Sequence, residues 1–188
     1  MPTKPHIWVM EGRWSSSVKD VRSVQPVLTA LQDAAVTKSA VNHLNTVEDL
    51  HVAMRRWSQK QHASYSVGYL ALHGEPGKVY VGRRSVDVAS LADHVPPRGL
   101  TGKILHFGSC AVLDLDEREC DDMRKALGVR ALMGFTEDVD WFDSLAFELM
   151  LFRSLARYHR LDVVERDVQE RAGSLGNRLG FRIIRRRS

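Results

Sequence analysis

Two stretches of this chain are apolar at almost every position and then stop abruptly. Val67 to Leu72 ends at His73-Gly74, and Ile104 to Phe107 ends at Gly108-Ser109-Cys110. A strand half-exposed to water alternates apolar and polar residues. A continuous apolar run of strand length is buried on both faces, as in a parallel sheet covered by helices. His6 to Met10 (His-Ile-Trp-Val-Met, ended by Glu11-Gly12) and Ala131 to Phe135 within Val129–Thr136 have the same character. Strands of one parallel sheet all finish at the same edge, which is where open α/β sheets bind their ligands. If the two runs are neighbours, His73 and Cys110 meet there.

Segments with helical period separate these runs. Val24, Val27, Leu28, Leu31 and Ala35 share one helix face, with Pro26 in the first turn. Ser39 to Leu44 reads as a second strand. Thr46 then reads as an N-cap with Glu48 and Asp49 in the first turn, opening a helix from Val47 to Lys60 with a stripe at Leu50, Ala53, Met54 and Trp57. After the turn signal Glu75-Pro76-Gly77, Lys78 to Gly82 reads as a short return strand, and Asp87 as the cap of a helix over Val88–His94 stopped by Pro96-Pro97. Asp114 to Ala126 is a charged surface helix. Asp140 and Asp143 have a capping-box layout at the start of a helix from Trp141 to Tyr158, whose apolar residues are Phe142, Leu145, Ala146, Leu149, Met150, Phe152 and Leu155. Asp162 caps a last helix to Ala172. Gly173–Gly180 reads as a loop, and Phe181–Ile184 as a strand on a sheet edge. The alternation predicts an α/β fold, a three-layer sandwich with a mostly parallel sheet, in a single domain over 1–188.

Composition narrows the function classes. The 188 residues are 44% hydrophobic and 27% charged, the profile of an ordinary globular domain. Two cysteines, Cys110 and Cys120, give no disulfide framework and point to a reducing, cytoplasmic setting. No apolar run approaches the ~20 residues that span a bilayer, so no membrane partner is expected. Part of the +4 net charge comes from Arg182 and Arg185-Arg186-Arg187, a cluster read as solvated surface, and no nucleic-acid partner is expected. The P-loop and the dinucleotide fingerprint are absent and no Cys-x-x-Cys pair exists, so neither a cofactor nor a metal is predicted.

A thiol at a sheet edge beside an imidazole is the minimum equipment for nucleophilic catalysis. Cys110 is the candidate nucleophile and His73 the candidate base. Gly74 lets the backbone approach a substrate closely, and its N–H with that of Cys110 would form an oxyanion hole. His106 lies four residues before Cys110 and is the rival base or half of a metal site; its other reading is a packed strand histidine. His43 is a more distant candidate. Glu11 and Arg13 after the first strand, and Glu137 and Asp138 after the fifth, should rim the same edge. Acids outnumber Arg13 there, which favours a basic residue at the cleavage site.

The strand–His73-Gly74 segment, a return strand and helix, and then the strand–Gly108-Ser109-Cys110 segment resemble the caspase-like clan of cysteine peptidases. The histidine precedes the cysteine by 37 residues. The resemblance covers Ile7 to Leu155 and extends to small bacterial caspase-like proteins through Leu72-His-Gly-Glu-Pro-Gly77, His106-Phe-Gly-Ser-Cys110 and Gly134-Phe-Thr-Glu-Asp-Val-Asp-Trp141. It implies a caspase-haemoglobinase-like sheet of order 2-1-3-4 plus further strands, and a cysteine endopeptidase cleaving a protein substrate. It also implies His73 as general base, Cys110 as nucleophile, and the N–H groups of Gly74 and Cys110 around the oxyanion. Two departures stand out. Gly108 occupies the place where metacaspases carry an aspartate. The Cys110–Val129 segment is also too short for activation by cleavage, so a regulatory partner or self-association is expected. The alternatives are an inactive caspase-like binding module and an α/β domain that binds a ligand at the same edge.

Overall fold

The apolar runs become the centre of one sheet. In a computed structural model describing residues 4–17 and 19–186, β1 (Ile7–Gly12), β3 (Val67–Ala71), β7 (Ile104–Phe107) and β8 (Ala131–Phe135) are buried at every position. The sheet order is β2-β1-β3-β7-β8-β9, where β2 is Ser39–Leu44 and β9 is Phe181–Arg185. All neighbours are parallel except β8 and β9, which run antiparallel at one edge. The fold is α/β with a mostly parallel six-stranded sheet and helices.

Period two sends alternate residues to opposite faces, and each face has its own core. Trp8, Met10, Leu70, Leu105 and Phe107 meet α2 (Val47–Trp57) and α3 (Glu117–Leu127) through Leu50, Met54, Trp57, Met123 and Leu127. Ile7, Val9, Tyr69, Ile104 and Met133 meet the second set of helices, α1 (Gln25–Asp33), α4 (Trp141–Arg157) and α5 (Leu161–Arg178). Each fully buried large side chain contributes about 1.5–3 kcal/mol. No helix of the described residues is long and apolar enough to cross a membrane.

Local signals account for most boundaries. Thr46 and Asp49 form a capping box at the start of α2. Helix α3 begins later than the expected Asp114, because Asp116 accepts from the Glu119 N–H at 2.7 Å and closes a capping box there. Asp140 caps α4 through the N–H groups of Phe142 and Asp143, without the reciprocal bond.

Four expectations are corrected. The segment 73–87 holds a three-stranded antiparallel sheet, β4 (His73–Glu75), β5 (Lys78–Val81) and β6 (Arg84–Asp87), rather than one return strand. Ala89–His94 is a 3-10 helix, with Asp87 accepting from the Ala89 N–H. The supposed loop 173–180 is helical as far as Arg178. The chain kinks at Ala172, where φ is −140°, and Gly176 then comes so close to Phe147 that a Cβ would stand 2.7 Å from its ring. The buried stripe of α4 is also rotated: Phe142 is 78% exposed, whereas Ser144, Phe147, Glu148 and Leu151 are buried. The basic C-terminus extends past the described residues at Arg187.

Candidate active site

Strands β1, β3 and β7 end at the same edge, and the segments following β3 and β7 touch. The Gly108 N–H bonds the Leu70 carbonyl at 3.0 Å, which carries the pairing one residue beyond β7. A Cβ at Gly74 would stand 2.8 Å from the Cys110 carbonyl oxygen, 2.8 Å from Ser109 Cβ, and against Val112 Cγ2. Only glycine permits this approach. His73-Gly74 and Ser109-Cys110 are thus in backbone contact.

His73 is exposed and its Nε2 lies 2.8 Å from the Trp14 carbonyl oxygen. A carbonyl only accepts, so Nε2 carries the hydrogen and Nδ1 holds the lone pair a base needs. Trp14 also stacks edge-on against His73, at 5.5 Å between ring centres, and against Trp141 at 4.5 Å. Arg22 donates to the same Trp14 carbonyl at 3.4 Å and lies over the Trp141 ring. Asp20 is held below the usual carboxylate range, mainly by its hydrogen bond from Arg22 and to a small degree by His73, which places a carboxylate within electrostatic reach of the imidazole.

Cys110 is half-buried, and its Sγ accepts from the Val139 N–H at 3.5 Å, a donor of the polarity a thiolate needs. The N–H of Cys110 itself meets no acceptor among the described residues. Ala111 follows in the left-handed region, φ 48°, which costs a non-glycine residue about 1 kcal/mol or more. It is pinned there by its N–H to the Glu137 carbonyl at 3.0 Å, and Leu113 bonds Phe135 at 3.1 Å. The segment after β8 therefore props up the cysteine turn. Among the described residues, no hydrogen bond joins His73 to Cys110.

The rival histidines fall elsewhere. His43 is exposed at the end of β2, three strands from β7 and therefore about 14 Å away at the usual strand spacing. It meets Gln25 at 3.3 Å. His106 is fully buried, its Nε2 2.8 Å from Glu148 Oε1, while Tyr69 donates to Glu148 Oε2 at 2.5 Å. Burial and then Glu148 push the Tyr69 phenol well above its usual range. His106 thus faces Glu148 and Cys110 faces Val139, and no three His, Cys, Asp or Glu among the described residues could hold a metal ion together. A Cβ at Gly108 would stand 2.7 Å from Glu148 Oε1. The buried carboxylate occupies space beside the position where a side chain at 108 would begin. Cys120 is buried in α3, where burial raises its thiol.

The four expected rim residues separate by role. Glu11 is only 4% exposed and accepts from Trp14 Nε1 at 3.2 Å, Ser23 Oγ at 2.9 Å and the Val24 N–H at 2.8 Å. Its oxygens are taken up by Trp14, Ser23 and Val24, and Trp14 carries the carbonyl that orients His73. Arg13 is exposed and lines a cavity of about 280 Å³ together with Trp14, Asp20 and Arg22. Glu137 and Asp138 are exposed on the strut beside Cys110. Sequence reading missed Trp14, Asp20, Arg22, Val139 and Trp141. For Val139 it had no signal to use, because it acts at this site through its backbone; Trp14 acts through both its carbonyl and its ring.

Comparison with curated proteins finds no match. The family described as "Family of unknown function (DUF6642)" matches residues 4–185, so the chain belongs to that family.

Proposed function

We propose that the chain is a cysteine endopeptidase of the caspase-like type, with a Cys110–His73 dyad acting on a protein substrate. The observation that carries this reading is the contact between Gly74 and Cys110, which puts the thiol and imidazole segments side by side at the sheet edge. Counting only the strands of the main sheet, the order 2-1-3-4 followed by a fifth and an antiparallel sixth strand supports a caspase-haemoglobinase-like topology. The two cores on opposite faces of that sheet support a three-layer sandwich.

In this reading His73 Nδ1 takes the Cys110 proton and the thiolate adds to the scissile carbonyl. The oxyanion settles against the N–H groups of Cys110 and Gly74. The imidazolium, oriented by the Trp14 carbonyl, then gives its proton to the leaving amine. Water, deprotonated by the same imidazole, cleaves the thioester and restores the thiol. Glu11 is a positioning residue. Arg13, Glu137 and Asp138 are the exposed charges a substrate side chain would meet.

A second reading is an inactive module, and it is favoured by His73 bonding the Trp14 carbonyl while no hydrogen bond among the described residues joins it to Cys110. Peptide acyloxymethyl ketones with lysine or aspartate at the cleavage site separate the two. The peptidase reading requires selective alkylation at Cys110, read by intact mass, that His73→Ala slows at least ~100-fold, and peptide cleavage that Cys110→Ala abolishes. Labelling no faster than that of free cysteine would overturn it, as would labelling that depends on His43 or His106 instead of His73.

A further inference from the structure

The opposite edge of the sheet, where the parallel strands begin, has a different character. His6 leads into β1 there and Ser39 opens β2, while α1 and α4 both end there. Two adjoining cavities open on this side, about 580 and 540 Å³, sharing Lys4, Ala35 and Val36. Both volumes lie within the ~300–1,000 Å³ typical of small-molecule sites. Lys38, His6 and Tyr65 line the first, and Arg153, Arg157 and His159 the second. Lys4, Lys38, Arg153 and Arg157 line the two cavities between them, and no carboxylate lines either among the described residues.

Arg153 Nη1 is buried and makes no hydrogen bond among the described residues. Asp167 is the nearest acid, 3.9 Å from Arg153 Nη1, but its oxygens are engaged by Ser154 and Arg171. The like charges act on one another. His6 is pushed below its usual range first by burial, then by Lys38 and more weakly by Lys4, against a hydrogen bond with the Pro5 backbone that raises it.

Cations at helix C-termini complement the helix dipole. That accounts for Lys4, which donates to the Ala35 carbonyl at 3.2 Å, and for Arg157 in the last turn of α4. It does not account for Lys38, which precedes β2, and Arg153 has only a long ion pair with Asp167, at 3.9 Å. We propose that this edge is a binding site for a small organic polyphosphate of nucleotide size. Its phosphates would lie against Lys4, Lys38, Arg153 and Arg157, and its organic part near the Tyr65 and His6 rings, which meet edge-on at 5.6 Å. The site shares no residue with the proposed dyad, so either can fail without the other.

Calorimetric titration of the full chain with ATP, inorganic tripolyphosphate and a ten-nucleotide RNA tests this. ATP and tripolyphosphate should each bind one to one, and more weakly as salt rises. Lys38→Glu and Arg157→Glu, both at exposed positions, should each weaken binding about tenfold. The double variant should bind below detection. Should the double variant fail to fold, Lys38→Gln and Arg157→Gln give a smaller loss of the same sign. In histidine NMR spectra, ATP should raise the titration midpoint of His6 by offsetting the two lysines. The proposal is overturned if neither polyphosphate saturates at millimolar concentration, if binding ignores both reversals, or if only the RNA binds.

Discussion

Gly74→Ala tests the juxtaposition on which the site depends. The added methyl would stand 2.8 Å from both the Cys110 carbonyl oxygen and Ser109 Cβ, and would press on Val112 Cγ2. Ordinary carbon contacts are about 3.5–4.0 Å, so β4 and the cysteine turn must part by roughly 1 Å. Neither side yields easily: Ser109 is 1% exposed and Val112 fully buried, and the turn is tied to 135–137 by two backbone hydrogen bonds. Overpacking of this kind costs about 1–3 kcal/mol. Misplacing reacting groups by about 1 Å costs on the order of 100-fold in rate. The variant should therefore unfold at lower urea, followed by tryptophan fluorescence, and should be alkylated at Cys110 by a peptide ketone about 100-fold more slowly than wild type. Unchanged stability would mean the two segments do not touch. Lost stability with an unchanged alkylation rate would mean they touch but that the dyad does not depend on it, and the peptidase reading would lose its main support.

Two further perturbations probe the sheet that carries the site, one at each end of β7. Lys103 is buried, donates to the His62 and Tyr65 carbonyls at 3.1 and 3.0 Å, and is pushed down to about 8 by burial. An unfolded lysine titrates near ~10.4, so between those values the unfolded chain holds the extra proton and wild-type stability should rise with pH. The full linkage is about 3 kcal/mol at ~1.36 kcal/mol per pH unit, and partial solvation by water discounts it. Lys103→Met should stabilise the fold at pH 7 by about 1–2 kcal/mol and flatten the rise between pH 8 and 10. Both carbonyls keep another donor, the Tyr65 N–H and Trp57 Nε1. Destabilisation at pH 7, measured by urea titration, would show that the ammonium is needed there. Gly108→Ala would place a methyl 2.5 Å from Tyr69 Cε2 and 2.7 Å from Glu148 Oε1, and should cost about 2–4 kcal/mol by overpacking and by disturbing the Tyr69–Glu148–His106 network. A loss below about 0.5 kcal/mol, the scale of an ordinary surface change, would show that the network leaves room at 108.

What could be read in the sequence and what could not divide along a physical line. The apolar runs of β3 and β7 revealed a sheet buried on both faces because burial acts on side chains, and side chains are what a sequence spells out. Thr46 revealed the start of α2 for the same reason: its hydroxyl does the capping. The continuation of α5 past Gly173 was hidden, because glycine weakens a helix in isolation while here it lets the helix approach Phe147, a tertiary gain that local propensity does not encode. Glu148 was hidden inside an apolar helix, since its partners Tyr69 and His106 lie 79 and 42 residues away. Glu11 looked like a solvated rim charge because a carboxylate after a strand carries no mark of the three donors that fold back onto it. The site repeats this division. The two groups proposed to react, Cys110 and His73, are side chains, and the sequence displayed them. The atoms that orient His73, support the Cys110 turn and approach its sulfur are backbone atoms of Trp14, Glu137 and Val139, which any residue type could supply. Trp14 also packs its ring on His73, but substituting the Glu137 or Val139 side chain should perturb the site less than moving its backbone, so Gly74→Ala, which displaces main chain, is a sharper probe of this edge than alanine at Glu137.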